Sequence, residues 1–317
     1  MLLDHSRYNY TRRKSRGDRR PPLIIGLVGV AAITIAVVLL PVGRWWRALF
    51  DNTPEPTLVQ LLNAGQYADV ADRSSARLSS NPLDGDALVL GGIAHFYLAV
   101  SEVAAEERDR QLNQAIVLLR RARLEEELPH APLTAYVLGS AYFQKGRYYD
   151  DLSVKYLLES LEKGYEGADT HEYLGMAYER LEQVSDALHH FELAIDKRPT
   201  DLLYLSVGQI HRGLDRFGAA AGALEQAVAL SAQRSTELQA RFMLGNVYLA
   251  LERFDEAAGE FSHILELDPG AAGAADAHVF LGDAQQGMGD PVAARAEWRR
   301  ARNIDPEHHG ANLRLRS

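Results

Sequence analysis

Two patterns of apolar residues divide this chain. Leu23 to Val42 runs without a charge, its one hydroxyl being Thr34. Twenty residues at the helical rise of 1.5 Å span about 30 Å, the thickness of a bilayer's hydrocarbon core. After residue 56 the pattern is periodic instead. Gly175 is followed by Tyr178 at +3, Ala187 at +12, Phe191 at +16, Ala194 at +19 and Pro199 at +24. The same template fits Gly245 with Tyr248, Ala257, Phe261, Ile264 and Pro269, and Gly282 with Gln285, Ala294, Trp298, Ala301 and Pro306. It fits Gly208 with His211, Ala220, Leu224 and Ala227, where Ala232 stands in place of the proline.

Such offsets predict paired antiparallel helices. Small Gly and Ala let two helices approach closely, a large side chain fills the space between them, and the proline ends the second helix. A single pair cannot bury its apolar face, so pairs must stack into one continuous core. Tyr178, Phe191, Tyr248, Phe261 and Trp298 are therefore read as core. Upstream, Gly139 with Tyr142 begins a repeat whose second helix is displaced by two residues, placing Ser153, Leu157 and Ser160 at the packing positions. Gly91 with Ala94 begins another, with Ala115, Leu119 and Ala122 arriving twelve residues late. The charged stretch Ser101–Arg110 between them is expected to lengthen both helices into a projection. Thr57 to Pro82 reads as a degenerate first repeat turning near Gly65.

This pattern resembles the tetratricopeptide repeat. The resemblance implies an all-α fold, a right-handed superhelix of about seven helix pairs over residues 57–308, followed by a short tail at 309–317. It also implies a concave protein-binding groove lined by the first helix of each pair, three before, one after and four after each template glycine. Those positions are Tyr136, Ser140 and Phe143; Glu172, Met176 and Glu179; Leu205, Gln209 and Arg212; Phe242, Asn246 and Leu249; and Val279, Asp283 and Gln286. Relatives that grip the C-terminal carboxylate of heat-shock chaperones use Lys and Asn there. No Lys occupies these positions, so a peptide or helix with aliphatic and basic side chains is the expected ligand. The tail holds only Leu313 and Leu315 as large apolar members, so it should cover the last repeat in part and leave the C-terminal end as a contact for a second copy or another component.

Charge and flanks set the expected topology. Residues 1–50 carry nine Lys/Arg against two Asp/Glu; the remainder carries 25 bases against 41 acids. The acidic body argues against nucleic acid as a partner. We assign 1–22 as a basic cytoplasmic tail, 23–43 as a transmembrane helix and 44–56 as a juxtamembrane linker. Pro21 and Pro22 suit a first helical turn, and Trp45 and Trp46 suit the headgroup boundary. A cleaved signal peptide is disfavoured, because the apolar run is long and no small-x-small site follows it. Seven Lys/Arg between Arg7 and Arg20 precede the span while Arg44 and Arg47 follow, so the N-terminus belongs in the cytoplasm and the repeats beyond an inner membrane.

The chemistry of an active site is not legible. There is no cysteine, which removes thiolate metal sites and thiol nucleophiles. His189-His190 and His308-His309 are neighbours that point about 100° apart on a helix and cannot clasp one ion. No metal-binding, phosphate-cradling or nucleophile-elbow motif occurs. No cofactor and no catalysis are expected. The leading function is a membrane-anchored scaffold in assembly of an envelope complex. The alternatives are a chaperone-like factor holding exported clients at the membrane and, with reversed topology, an enzyme or its regulatory subunit whose array faces the cytoplasm. The topology has a direct check. A fluorescent reporter that matures only in the cytoplasm, fused after Ser317, should stay dark, and a periplasm-active phosphatase at the same point should work; the reverse pair of results would invert the orientation.

Overall fold

The computed structural model describes residues 56–125, 130–270 and 273–316, so the expected tail, span and most of the linker lie outside the described residues. Among the described residues there is no strand, and no helix is long and apolar enough to cross a membrane. Fifteen α-helices follow one another as seven antiparallel pairs and a final single helix. They are α1 (Leu58–Asn63) and α2 (Tyr67–Ser80), α3 (Gly85–Ser101) and α4 (Ala105–Ala122), α5 (Ala131–Lys145) and α6 (Asp150–Glu162), and α7 (Thr170–Arg180) and α8 (Val184–Lys197). Then come α9 (Asp201–Gly213) and α10 (Phe217–Leu230), α11 (Arg234–Ala250) and α12 (Phe254–Leu267), α13 (Ala274–Gly287) and α14 (Pro291–Ile304), and α15 (His309–Arg316).

Local signals start these helices. Thr57 and Gln60 form a reciprocal capping box on α1, and Thr200 caps α9 through the Leu203 amide. Asp290 caps α14, whose first residue, Pro291, needs no amide partner. Asp84 caps α3 while also accepting two hydrogen bonds from Arg77. Inside a pair, the turn passes through one left-handed residue: Gly65, Gly146 and Gly289 in three pairs, and Glu182, Asp215 and Glu252 in three others. A side chain in that conformation costs about 1–2 kcal/mol, so packing of the two helices is what holds those acidic turns.

The close approach within each pair is the template contact. A Cβ at Gly175 would sit 2.7 Å from the Phe191 ring, one at Gly245 2.7 Å from Phe261, and one at Gly208 2.7 Å from Leu224. Gly282 lies tighter still against Trp298, whose indole N–H donates to the Val279 carbonyl at 3.2 Å. Gly139 packs on Leu157, two residues late as the sequence indicates. In the second pair the register differs from the sequence reading. Gly92, not Gly91, faces Leu119 and the Ala115 carbonyl, while Gly91 packs against Ser74 of α2. Of two adjacent glycines, each serves a different neighbouring helix, and α3 is buried on both sides. The extension does lengthen this pair: α3 and α4 run 17 and 18 residues, and Val103 at their tip is 92% exposed.

Beyond residue 308 the chain forms an eight-residue helix, α15, which lies against both α13 and α14. Its seat is Ala311, buried with Ala275, Val279 and Ala301; Leu313 is 60% exposed, so the tail's seat is not its large apolar members but a small residue that lets the helix approach. Arg314 grips Asp283, and His308 Nε2 lies 3.0 Å from Asp276.

Between α7 and α8 lies a packed imidazole pair. His190 is buried, stacks on Tyr178 and His171, and places its Nδ1 2.8 Å from that of His171. One ring must donate and the other accept, so at least one is neutral. Burial, with His171 and His189 close by, pulls the His190 pKa down from 6.5 to about 4, and Asp186 only partly opposes this.

Two predictions follow from this packing. Gly175→Leu or Ala187→Leu should destabilise the array by roughly 1–3 kcal/mol or more, read as a lower melting temperature by circular dichroism; variants melting like the parent would break the register. Below the unfolded His190 pKa of 6.5 the unfolded chain takes a proton that the folded chain refuses until about pH 4, so stability falls as pH drops through that window. The loss should be on the order of 2 kcal/mol, and His190→Gln should flatten the melting temperature between pH 7.5 and 4.5.

Candidate protein-binding groove

The first helices of successive pairs touch one another directly, α1 with α3, α3 with α5, α5 with α7, α9 with α11 and α11 with α13. Second helices have no comparable contact. Stacking that crowds one row of helices and splays the other curves toward the crowded row, so the first helices form the inner face. The interval between α7 and α9 is looser, and there a separate cleft of about 460 Å³ opens beside α8, lined by Val184, Leu188, His189, Glu192, Leu214 and Arg216.

The fifteen expected groove positions divide into three groups. Ser140, Leu205 and Val279 are buried at 0%, 6% and 2% exposure and pack the solenoid instead of lining a groove. Gln209, Arg212 and Gln286 are exposed. The remaining nine are partly exposed, but in the C-terminal half several already have partners within the chain. Phe242 packs edge-on against Phe261 and Phe280, Asn246 donates to the Phe242 carbonyl at 2.7 Å, and Asp283 is held by Arg314.

The N-terminal half differs. Tyr136 on α5 donates its hydroxyl to Asp169, the residue preceding α7, and its ring tilts against Tyr165 at 5.4 Å. Phe143 lies 4.7 Å from Tyr173 and carries the Arg180 guanidinium 4.0 Å above its face. Arg180 in turn pairs at 2.7 Å with Asp150, which is 1% exposed at the start of α6. Burial pushes the Tyr136 phenol far up, reinforced by its hydrogen bond to Asp169. Burial and then Asp169 push Tyr173 to about 12. Tyr97, near the end of α3 and stacked on Tyr67 at 4.8 Å, is raised by burial, Tyr67, Tyr165 and Asp169. Tyr97, Tyr136 and Tyr173 thus stay neutral donors across ordinary pH, and Asp169 is the carboxylate common to all three.

One turn-spacing along α7, Glu172, Met176 and Glu179 continue the inner stripe. Glu172 reaches Arg198 at 3.6 Å. Burial pushes the Glu179 carboxyl up, partly offset by Arg180, and no hydrogen bond or ion pair ties it down among the described residues. The template positions found Tyr136, Phe143, Glu172 and Glu179, but missed Tyr97, Tyr165, Asp169 and Tyr173. Those residues sit off the three template offsets, on a lengthened helix, in a loop, at a helix entry and beside Glu172. Among the described residues no group of three or more His, Asp or Glu is arranged to hold a metal ion.

Comparison with known proteins agrees with this architecture. The crystal structure of the C-terminal part of a tetratricopeptide-repeat-containing protein from Cytophaga hutchinsonii is similar over 81% of this chain and 98% of that one, at 15% identity and TM-score 0.59. A crystal structure of MamA is 21% identical over 56% of this chain and 93% of that chain, at TM-score 0.48. No curated protein matches the chain. Residues 208–272, from the middle of α9 to the turn after α12, match the tetratricopeptide-repeat model, and the described chain has the all-α helical-repeat fold of a tetratricopeptide-type solenoid.

Proposed function

We propose that this chain is a protein-binding scaffold that holds a segment of a partner along the inner face of its first helices. The observation that carries the reading is the stripe of partly exposed aromatic and acidic side chains on α5 and α7, where Tyr136, Phe143, Glu172, Met176 and Glu179 share one surface with Tyr173 and Asp169. Aromatic rings supply contact area at low entropic cost, and a repeat stack presents them along an extended line. Residues 23–43 anchor the scaffold in the inner membrane with the repeats on the far side; the uncharged run and the basic residues before it support that reading. There the scaffold takes part in assembling an envelope-associated complex, and the C-terminal end around exposed Leu313 is a second contact surface, for another copy or another component.

A photo-crosslinking amino acid at Met176 or Gln209 (inner face), compared with Gln226 or Asp255 (exposed on second helices), tests this in native membranes. Inner positions should yield discrete adducts of one partner, and the outer ones should not. Adducts confined to the outer positions would overturn the groove as the binding surface.

A further inference from the structure

The inner face of α5 and α7 carries two carboxylates that form no ion pair among the described residues, Asp169 at the entry to α7 and Glu179 near its end. Asp169 accepts the Tyr136 hydroxyl and has no ion-pair partner among the described residues. Glu179 is half-buried with neither hydrogen bond nor ion pair, because the adjacent guanidinium of Arg180 is committed to Asp150 and the Phe143 ring. The groups acting on the phenols of Tyr97 and Tyr136 are acids, hydroxyls and other phenols; those acting on Tyr173 add only Gln144. The field around the phenols is negative, and at Glu179 Arg180 offsets it only in part. The surfaces around Asp169 are ring faces and edges, of Tyr136, Tyr165 and Tyr173 with Tyr97 nearby, and Tyr97 itself is 39% exposed. A carboxylate set among aromatic rings attracts a cation twice, through Coulomb attraction and through the ring quadrupoles. The chain already shows the second contact internally, where Arg180 lies 4.0 Å over Phe143.

We propose that this face reads two basic side chains of an extended partner segment, one held by Asp169 and its tyrosines, the other by Glu179. The proposal rests on the scaffold reading above and names its ligand chemistry. Asp169 at the entry to α7 and Glu179 in its last turn are ten positions apart, about 15 Å at 1.5 Å per residue. An extended chain advances about 3.3 Å per residue, so the two cations belong about four to five residues apart. Arg suits both places, since its planar guanidinium stacks on rings and forks onto carboxylates. The apolar part of the segment then crosses Met176, which lies between the two acids on the same stripe and adapts to varied side chains.

The test uses the full-length protein in detergent and a fluorescein-labelled dodecapeptide with two arginines separated by three residues in a Gly/Ser background. Fluorescence anisotropy is read at low and high salt. We expect saturable binding that weakens with salt. Asp169→Asn and Glu179→Gln should each weaken it roughly three- to tenfold without lowering the melting temperature, since Asn keeps an acceptor for Tyr136 and Glu179 has no partner to lose. A peptide with one arginine should respond to only one of the two substitutions. Asp255→Asn, exposed on α12, should change nothing. Equal binding of a peptide with both arginines replaced by glutamine, or equal losses in all three variants, would overturn the proposal. Binding that emerges only after residues 1–22 are deleted would also overturn it, assigning the site to the chain's own basic tail. If the crosslinked partner survives Asp169→Asn and Glu179→Gln unchanged, the cation reading falls while the scaffold stands; if no adduct forms from the inner face, the scaffold reading itself falls.

Discussion

The array depends on how closely two helices of a pair can approach at one point. At Gly92, Gly139, Gly175, Gly208, Gly245 and Gly282 the missing Cβ is occupied by a large side chain from the following helix, Leu119, Leu157, Phe191, Leu224, Phe261 and Trp298 in turn. That contact sets the interaxial distance, and the distance decides which faces remain for the neighbouring pair. Buried alanines such as Ala187, Ala220, Ala257 and Ala294 continue the close approach on the second helix. With each pair locked, the first helices come into direct contact along the stack, and their outward-turned residues become the inner face. Binding surface and core are thus two sides of the same packing decision.

What the sequence disclosed follows from this. A contact that demands a glycine and a large residue at fixed spacing leaves a readable trace, and the four regular pairs after Gly175 are legible for that reason. The second pair is legible only as a pair, because Gly91 and Gly92 are both used and the lengthened helices hide which one meets Leu119. Groove positions are less secure than core positions, since the offset fixes direction but not exposure: Leu205 and Val279 point inward along the stripe yet are covered by their neighbours. The tyrosines around Asp169 leave no periodic trace. Tyr165 comes from the segment between α6 and α7, Asp169 from the entry to α7 and Tyr97 from the helix that the extension lengthens, so only three-dimensional folding brings them together.

The acidic balance of the body is unevenly spent across the fold. Several partly buried cations are consumed by ties within and between pairs. Arg123 forks onto Glu159, Arg241 bridges Glu237 and Glu260, and Arg180 reaches back from α7 to Asp150 on α6. Such pairs add little net stability relative to an apolar replacement, but removing one partner leaves an uncompensated charge. Their effect is to fix how one pair sits on the next. Because these cations are engaged between helices, Asp169 and Glu179 on the inner face form no ion pair among the described residues, while Glu172 reaches Arg198.

The turn inside a pair has a consequence of another kind. Six of the seven turns pass through a single left-handed residue, whereas the turn at Glu102–Ala104 has none and joins helices of 17 and 18 residues, the one pair in which both helices are long. The added turns of α3 and α4 extend past the level of the Gly92 contact and leave the stacking on either side intact. Growth at this point is therefore uncoupled from the spine. A solenoid of this design can acquire arms of new length, and with them new reach, by insertion within a pair, whereas the same insertion between pairs would shift every contact that follows.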